Sequence, residues 1–242
     1  MSSGTVLVDR RFCGPPRSGN GGYVCGLLAA QLEGCARVRL RAPPPLDTTL
    51  QVEHAAAQVR LLHGQQVIAE AWPGVLDLVP PPAPSLAQST RAAAGCVGLT
   101  RHVFPRCFVC GPQREAGDGL CIFPGPAGSA GMVAAPWKPD ISLADASGRV
   151  AAEFLWAALD CPGFFAVMPA PEPGQTAVLG ELCARIEGAA VPGEDYVVIG
   201  WPLGVDGRRR YSGTAIFSAT GDFVAVARAT WVEVAASRFG GS

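Results

Sequence analysis

The sequence predicts an α+β protein built from two similar halves, each with one buried helix followed by antiparallel strands. Two segments carry the helix prediction, residues 20–34 and 148–165, and both are apolar on nearly every side. A helix of that kind must be buried all round, and a strongly curved antiparallel sheet wrapped around it meets this requirement. Strand-like runs separated by turn residues follow each helix candidate. The pattern therefore predicts a duplicated helix-and-sheet unit.

The strand candidates follow the same order in both halves. The first half gives "RVRLRA", "TLQVEHAAAQVRLLHG" and "QQVIAEAWPGVLDL", with a hairpin turn predicted at "HGQQ". The second half gives "DGLCIFPGP" and "GMVAAPW" before its helix, then "AVLGELCARIEG", "EDYVVIGWPLG" and a long hairpin that turns at "ATGD". A Pro- and Ala-rich segment without a sustained period separates the halves. We therefore predict an N-terminal half over 1–80, a linker over 81–102 and a C-terminal half over 103–242.

Composition limits the classes of function. Of the 242 residues, 49% are hydrophobic and 16% are charged, which is typical of a globular protein. The net charge of −1 gives no basic field for nucleic acid or an anionic membrane. No apolar run reaches 18 residues, and "MSSGTVLVDRR" lacks the order of a signal peptide. With nine scattered cysteines, these features predict a cytoplasmic protein with buried thiols.

Two stretches resemble the hotdog-fold thioesterase superfamily. "GNGGYVCGLLAAQLEG" is similar to its His-Gly-Gly helix start, with Asn20 where histidine is common, and "CFVCGPQREAGDGLCIFPGP" is similar to a "CFxCG…GL" lead-in. With the tandem halves, the resemblance implies a double hotdog. In that fold two curved antiparallel sheets each wrap around a long central helix, and the halves pack as a pseudo-dimer.

The first candidate site feature is Asn20-Gly21-Gly22 at the start of a helix. The first amides of a helix have no internal partner and lie at its positive end, and glycines let a ligand approach closely. We therefore predict an oxyanion site held by the Gly21–Tyr23 amides, with Gly22 or Tyr23 as the main donor, and Asn20 orienting substrate or water. The alternative is that Asn20 simply caps the helix above a glycine turn.

The second feature is Asp160, a carboxylate after a largely apolar helix, where it is costly unless paired or functional. The alternative is an aspartate near a helix end that meets solvent or an arginine. The family pattern implies a catalytic acid nine residues after the histidine position. Nine residues after Asn20 stands Ala29, whereas nine before Asp160 stands Ala151, followed by Ala152 and Glu153. The resemblance thus implies one working site, Asn20-Gly21-Gly22 with Asp160, and one dead site.

Three other groups are weaker candidates. Cys107 and Cys110 have metal-ligand spacing, but no second pair follows and His102 is the only nearby histidine, so we predict no metal site. Cys161 is a candidate nucleophile without a recognisable histidine partner. Finally, "VDGRRRYSG" is a predicted surface turn, and three of its side chains are candidates for contacting coenzyme A phosphates: Arg208, Arg209 and Arg210.

Together these features predict hydrolysis of an acyl thioester, with acyl-CoA as the expected substrate and no separate cofactor. Asp160 would serve as general base or nucleophile. The alternative is a non-hydrolytic protein that binds acyl-CoA or an acyl-carrier protein. A hotdog dehydratase is disfavoured because no suitable histidine stands beside Asp160. Further pairing of double hotdogs into an oligomer stays open.

Overall fold

The computed structural model describes residues 3–128, 131–169 and 174–239 and confirms the α+β class. Its strands form one 11-stranded antiparallel sheet, with four α-helices in the described residues. The helices are α1 (Gly21–Ala29), α2 (Leu86–Ala93), α3 (Ala152–Ala158) and α4 (Cys161–Val167). The strands are β1 (Ser3–Leu7), β2 (Ala36–Leu40), β3 (Thr49–Ala55), β4 (Gln58–His63), β5 (Gln66–Pro73), β6 (Gly125–Pro126), β7 (Val133–Trp137), β8 (Gln175–Ile186), β9 (Tyr196–Asp206), β10 (Arg209–Ser218) and β11 (Phe223–Ala235).

The sheet consists of two arms joined by the antiparallel pair β2–β8, where Ala36 faces Ala184 and Val38 faces Leu182. Outward from this pair, the first arm runs β2, β5, β4, β3, β1, and the second runs β8, β11, β10, β9, β7, β6. In each arm the first strand after the central helical segment lies at the junction. The next three strands of the chain lie in reverse order, so that the third of them pairs with the junction strand. Apart from β6, the two arms therefore share one order of strands and connections.

Helices α1 and α3 pack closely and antiparallel. A Cβ built on Gly22 would lie 2.6 Å from the Trp156 carbonyl oxygen, and one built on Gly26 would lie 2.5 Å from the Glu153 Cα. Glycines one helical turn apart thus let the two backbones come together. Helix α1 also contacts β2, β4, β5 and β8, so it is buried as its all-round apolar surface requires.

The predicted linker contains a helix, α2, which the Pro- and Ala-rich composition did not indicate. Ser85 and Gln88 form a reciprocal capping box at its start. The helix packs against β6, β7 and β9. It covers a second hydrophobic core, which lies on the face of the sheet opposite to α4. Consequently Val197 and Val198, neighbours on β9 that point to opposite faces, are both buried.

Other elements follow the predictions with local differences. The hairpin turns at "HGQQ" and "ATGD" are confirmed. The run "TLQVEHAAAQVRLLHG" forms two strands, β3 and β4, because the chain turns at residues 56–57. Of "DGLCIFPGP", only Gly125–Pro126 pairs as a strand, and β1 was not predicted. The second helix candidate is divided at Asp160 into α3 and α4, with Pro162 in the first turn of α4.

Among the described residues, no helix is long and apolar enough to cross a membrane.

Replacing Gly26 with alanine tests the α1–α3 contact. In an ordinary helix this change stabilises by about 1 kcal/mol. Here the new methyl meets the α3 backbone, so we expect a loss of about 1–3 kcal/mol in the free energy of unfolding, measured with urea. Gly4→Ala is the control, because nothing lies within 4 Å of its Cβ position. A neutral or stabilised Gly26→Ala would contradict this packing.

Candidate active site

Three separate segments meet at the start of α1. The first is the turn Asn20–Gly22, the second is the break between α3 and α4 at Asp160, and the third is the loop over 107–110. Helix α1 comes from the first half of the chain, whereas Asp160 comes from the second. The candidate site therefore brings together residues that lie far apart in the sequence.

Asp160 is buried, with only 3% of its surface exposed, yet its two oxygens differ. Oδ2 accepts a hydrogen bond from Asn20 Nδ2 at 2.9 Å and another from the Gly22 amide at 2.9 Å. Oδ1 is also buried and finds no partner among the described residues. A buried carboxylate oxygen without a donor is costly. The carboxylate is thus held by one oxygen, while the other has no hydrogen-bond donor among the described residues.

The side-chain amide of Asn20 makes two hydrogen bonds with different functions. While Nδ2 donates to Asp160, Oδ1 accepts from the Tyr23 amide at 2.9 Å and caps α1. Because a carboxylate accepts and a backbone N–H donates, these partners fix the orientation of the side-chain amide. Asn20 therefore orients Asp160 as well as capping the helix. The contacts to substrate or water that the sequence predicted for Asn20 stay a prediction.

Two of the three amides predicted as oxyanion donors, those of Gly22 and Tyr23, are already occupied. The Gly22 amide donates to Asp160 and the Tyr23 amide donates to Asn20. The Gly21 amide makes no hydrogen bond within the described part of the chain, and Gly21 lines the neighbouring cavity, which Gly22 and Tyr23 do not. The available donor at the positive end of α1 is therefore the amide of Gly21.

The electrostatics of Asp160 follow from its burial. Desolvation raises the pKa of this carboxyl to about 7, while the hydrogen bonds from Gly22 and Asn20 oppose the rise. A carboxyl with such a pKa is present in both protonation states near neutral pH. That property suits a group that must accept and then return a proton.

A cavity of about 530 Å³ opens beside Asp160. Its walls are mainly apolar and come from α4, β8, β11 and the loop over 97–104. Representative side chains are Val97, Phe104, Phe164, Phe165, Met168, Leu179 and Trp231. Thr176 also lines it, and its buried hydroxyl has no hydrogen-bond partner among the described residues. An apolar chamber with a few polar groups at one end is typical of a small-molecule site.

Sequence reasoning missed part of this site. The structure brings Cys161 to Cys107 and Cys110, with all three sulfur atoms within 4.8 Å of one another. Only the spacing of Cys107 and Cys110 was visible in the sequence, because Cys161 is contributed by the start of α4.

The arginines predicted to contact substrate lie elsewhere. Arg208 and Arg209 are exposed at the β9–β10 turn, and Arg210 pairs with Glu233 on β11. None of the three lines the cavity. The arginines that do line it are Arg41, Arg101 and Arg238, which no local motif marks.

At the opposite end of the α1–α3 pair, the positions that correspond to Asp160 and Asn20 carry neither a carboxylate nor a side-chain amide. Ala29 closes α1 there as a buried residue without a carboxylate. Ala151 is the N-cap of α3 and has no side chain to cap it. The glycine pair of α1 is replaced by Ala152 and Glu153. The geometry of the Asn20–Asp160 contact is therefore not repeated.

Comparisons with solved structures identify the fold. A protein proposed to be a thioesterase from Novosphingobium aromaticivorans superimposes with a TM-score of 0.63 at 14% identity, over 96% of this chain and 95% of that one. The tesB protein of Mycobacterium avium subs. paratuberculosis gives 0.61 at 12% identity, over 96% and 93%. A protein with the hotdog fold from Alicyclobacillus acidocaldarius gives 0.56 at 11% identity, over 96% and 93%.

These similarities extend over nearly the whole chain, which has the hotdog fold. The resemblance to hotdog-fold thioesterases drawn from the sequence is therefore confirmed at the level of the fold. No protein-family model and no curated protein matches the sequence.

Two substitutions of Asn20 separate its roles. Asn20→Ser keeps a capping oxygen but loses the Nδ2 group that donates to Asp160, whereas Asn20→Ala loses both. We expect urea unfolding to show Asn20→Ala less stable than Asn20→Ser by about 1 kcal/mol, the usual contribution of a cap. Both should be less stable than the wild type. Equal stability of the two variants would be inconsistent with the capping role.

Proposed function

We propose that the chain is a fused pair of hotdog units that hydrolyses an acyl thioester at one composite site. The observation that carries the proposal is the contact of Asp160 with Asn20 and the Gly22 amide, beside an apolar cavity. It joins a carboxylate from one half to a helix start from the other. A base or nucleophile next to an oxyanion donor is what acyl transfer requires.

The fusion is supported by the sheet. Each arm has the same order of strands, and the arms meet edge to edge through β2 and β8. The helices α1 and α3 lie antiparallel between them. We infer that the chain arose by duplication of one hotdog unit, with the two copies packed as a pseudo-dimer.

In the proposed reaction the thioester carbonyl oxygen accepts a hydrogen bond from the Gly21 amide at the positive end of α1. Asp160 Oδ1 takes a proton from a water molecule, which attacks the carbonyl carbon. The tetrahedral intermediate then collapses, the C–S bond breaks and the proton passes to the thiolate leaving group. If Asp160 attacks directly, an anhydride forms first and water opens it. Asn20 holds the carboxylate in place in both routes.

The second pseudo-site is inactive in this proposal. It would use Ala29 as the acid and Ala151–Glu153 as the helix start. Alanine supplies no base, and Ala151 supplies no side-chain cap. A duplicated protein needs only one working site, so the other was free to lose both groups.

Coenzyme A thioesters are the proposed substrates. Arg101 and Arg238 line the cavity and are exposed, and neither forms an ion pair with a described residue. Two free guanidinium groups suit the phosphates at the far end of coenzyme A. Arg41, which also lines the cavity, is paired with Glu70.

Replacing Asp160 with asparagine tests the catalytic role. We expect hydrolysis of acyl-CoA, followed by release of thiol, to fall at least about 10³-fold, because Asn cannot take the proton or attack. The matched control is Glu153→Gln. Glu153 lies at the helix start of the inactive pseudo-site on α3, so this variant should hydrolyse at the wild-type rate.

Circular dichroism would confirm that both variants are folded. Near wild-type turnover by Asp160→Asn would refute the proposal. If the wild type bound acyl-CoA tightly without turning it over, the chain would instead be a non-hydrolytic acyl-thioester binding protein.

The double variant Arg101→Ala/Arg238→Ala tests coenzyme A as carrier. We expect the KM for acyl-CoA to rise about three- to tenfold, which is the size of effect expected when exposed charge contacts are lost. The KM for the matching acyl-pantetheine, which lacks the nucleotide phosphates, should not change. Arg208→Ala/Arg209→Ala is the control and should leave both KM values unchanged. Equal effects on both substrates would argue against phosphate recognition by Arg101 and Arg238.

A further inference from the structure

A group of three thiols lines the cavity beside Asn20 and Asp160 and takes no step in the proposed hydrolysis. It consists of Cys107, Cys110 and Cys161 and is called the thiol cluster below. All three residues are buried, and all three line the cavity. Their sulfur atoms lie within 4.8 Å of one another, and those of Cys107 and Cys161 are 3.8 Å apart.

The Cys107–Cys161 separation matches the ligand spacing of a thiolate-bound metal, and the Cys110 sulfur lies within 4.8 Å of both. Zinc binds thiolate sulfur at about 2.3 Å in tetrahedral geometry, which places the sulfurs about 3.8 Å from each other. A close pair alone is not evidence, since Cys35 and Cys183 are 3.9 Å apart elsewhere in the fold. What distinguishes the thiol cluster is a third sulfur, so that two segments of the chain supply three potential ligands. No other metal-ligand group of three was found among the described residues.

The loop that carries two of these residues is folded tightly around them. The Gly111 amide donates to the Cys107 carbonyl at 2.9 Å. A Cβ on Gly111 would lie 2.5 Å from the Cys107 backbone nitrogen, so the turn requires glycine. The loop thus holds Cys107 and Cys110 together in one tight turn.

His102 supports the thiol cluster from outside. Its Nδ1 accepts a hydrogen bond from the Phe104 amide at 3.0 Å, so the proton of the neutral ring lies on Nε2. That nitrogen is 3.2 Å from the sulfur of Cys110 and donates to it. Donors to a ligand atom orient the ligand and tune its affinity. Phe165 packs against the ring edge-on and keeps it in place.

We propose that the thiol cluster binds one Zn²⁺ through the thiolates of Cys107, Cys110 and Cys161. His102 donates to the Cys110 sulfur, and the fourth coordination position faces the cavity. Soft thiolate ligands favour Zn²⁺ over the harder Mg²⁺ or Ca²⁺. Binding releases the thiol protons to solvent. The ion ties the loop over 107–110 to the start of α4, next to Asp160, and this inference does not depend on the proposed hydrolysis.

The experiment is metal analysis of the full chain purified under reducing conditions. We expect one equivalent of zinc by elemental mass spectrometry. After its removal, Co²⁺ should restore one equivalent and give near-ultraviolet thiolate-to-cobalt charge-transfer bands. Cys110→Ser should lower the metal affinity at least about tenfold. Cys183→Ser, which removes a thiol from the pair outside the cluster, should keep one equivalent.

The Co²⁺ titration uses the wild-type chain, so it decides the proposal even if Cys110→Ser fails to fold. Absence of a charge-transfer band with the reduced wild type, or equal loss of metal in Cys183→Ser, would overturn it. The Asp160→Asn variant should retain the metal. Failure of the hydrolysis proposal would therefore leave the metal content unchanged, and the two proposals can be tested apart.

Discussion

The contact between the Asp160 carboxylate and the start of α1 is the interaction on which the site depends. A buried charge in an apolar surrounding is unfavourable unless donors are supplied. Here both donors come from the other half of the chain, Asn20 Nδ2 and the Gly22 amide. Their approach requires Gly22, since a Cβ there would lie 2.5 Å from the Asp160 Cβ. One carboxylate thus links helix packing, the joining of the halves and the chemistry of the cavity.

The two arms of the sheet explain how this contact is held. The β2–β8 pair fixes the arms relative to each other, and α1 packs on strands of both. On the opposite face, α2 covers β7 and β9 and so buries the second arm on both sides. Asp160 itself lies where the second helix breaks, before Pro162, rather than within a continuous helix. A rigid frame therefore surrounds a local irregularity, as is common at functional sites.

Much of the fold was predictable because its signals are local. The apolar helices and the turns at "HGQQ" and "ATGD" could be identified from periodicity and turn residues. The juxtaposition of Asn20 and Asp160 was implied by the resemblance to hotdog thioesterases, through their nine-residue register, and the catalytic roles of both residues stay predictions. Helix α2 was missed because its helical signal in the sequence is weak. The helix is stabilised by its packing on the sheet, which the sequence does not show. The use of the Gly22 amide and the arrival of Cys161 beside Cys107 arise from tertiary contacts that no single segment encodes.

The most direct test of the composite site is a crystal structure with a non-hydrolysable analogue of an acyl-CoA, in which a methylene group replaces the thioester sulfur. We expect the ketone oxygen to lie about 3 Å from the Gly21 amide, with the carbonyl carbon either about 3–3.5 Å from Asp160 Oδ1 or linked to it through one water molecule. A carbonyl bound away from both groups, or at the Ala29 end of the helices, would contradict it.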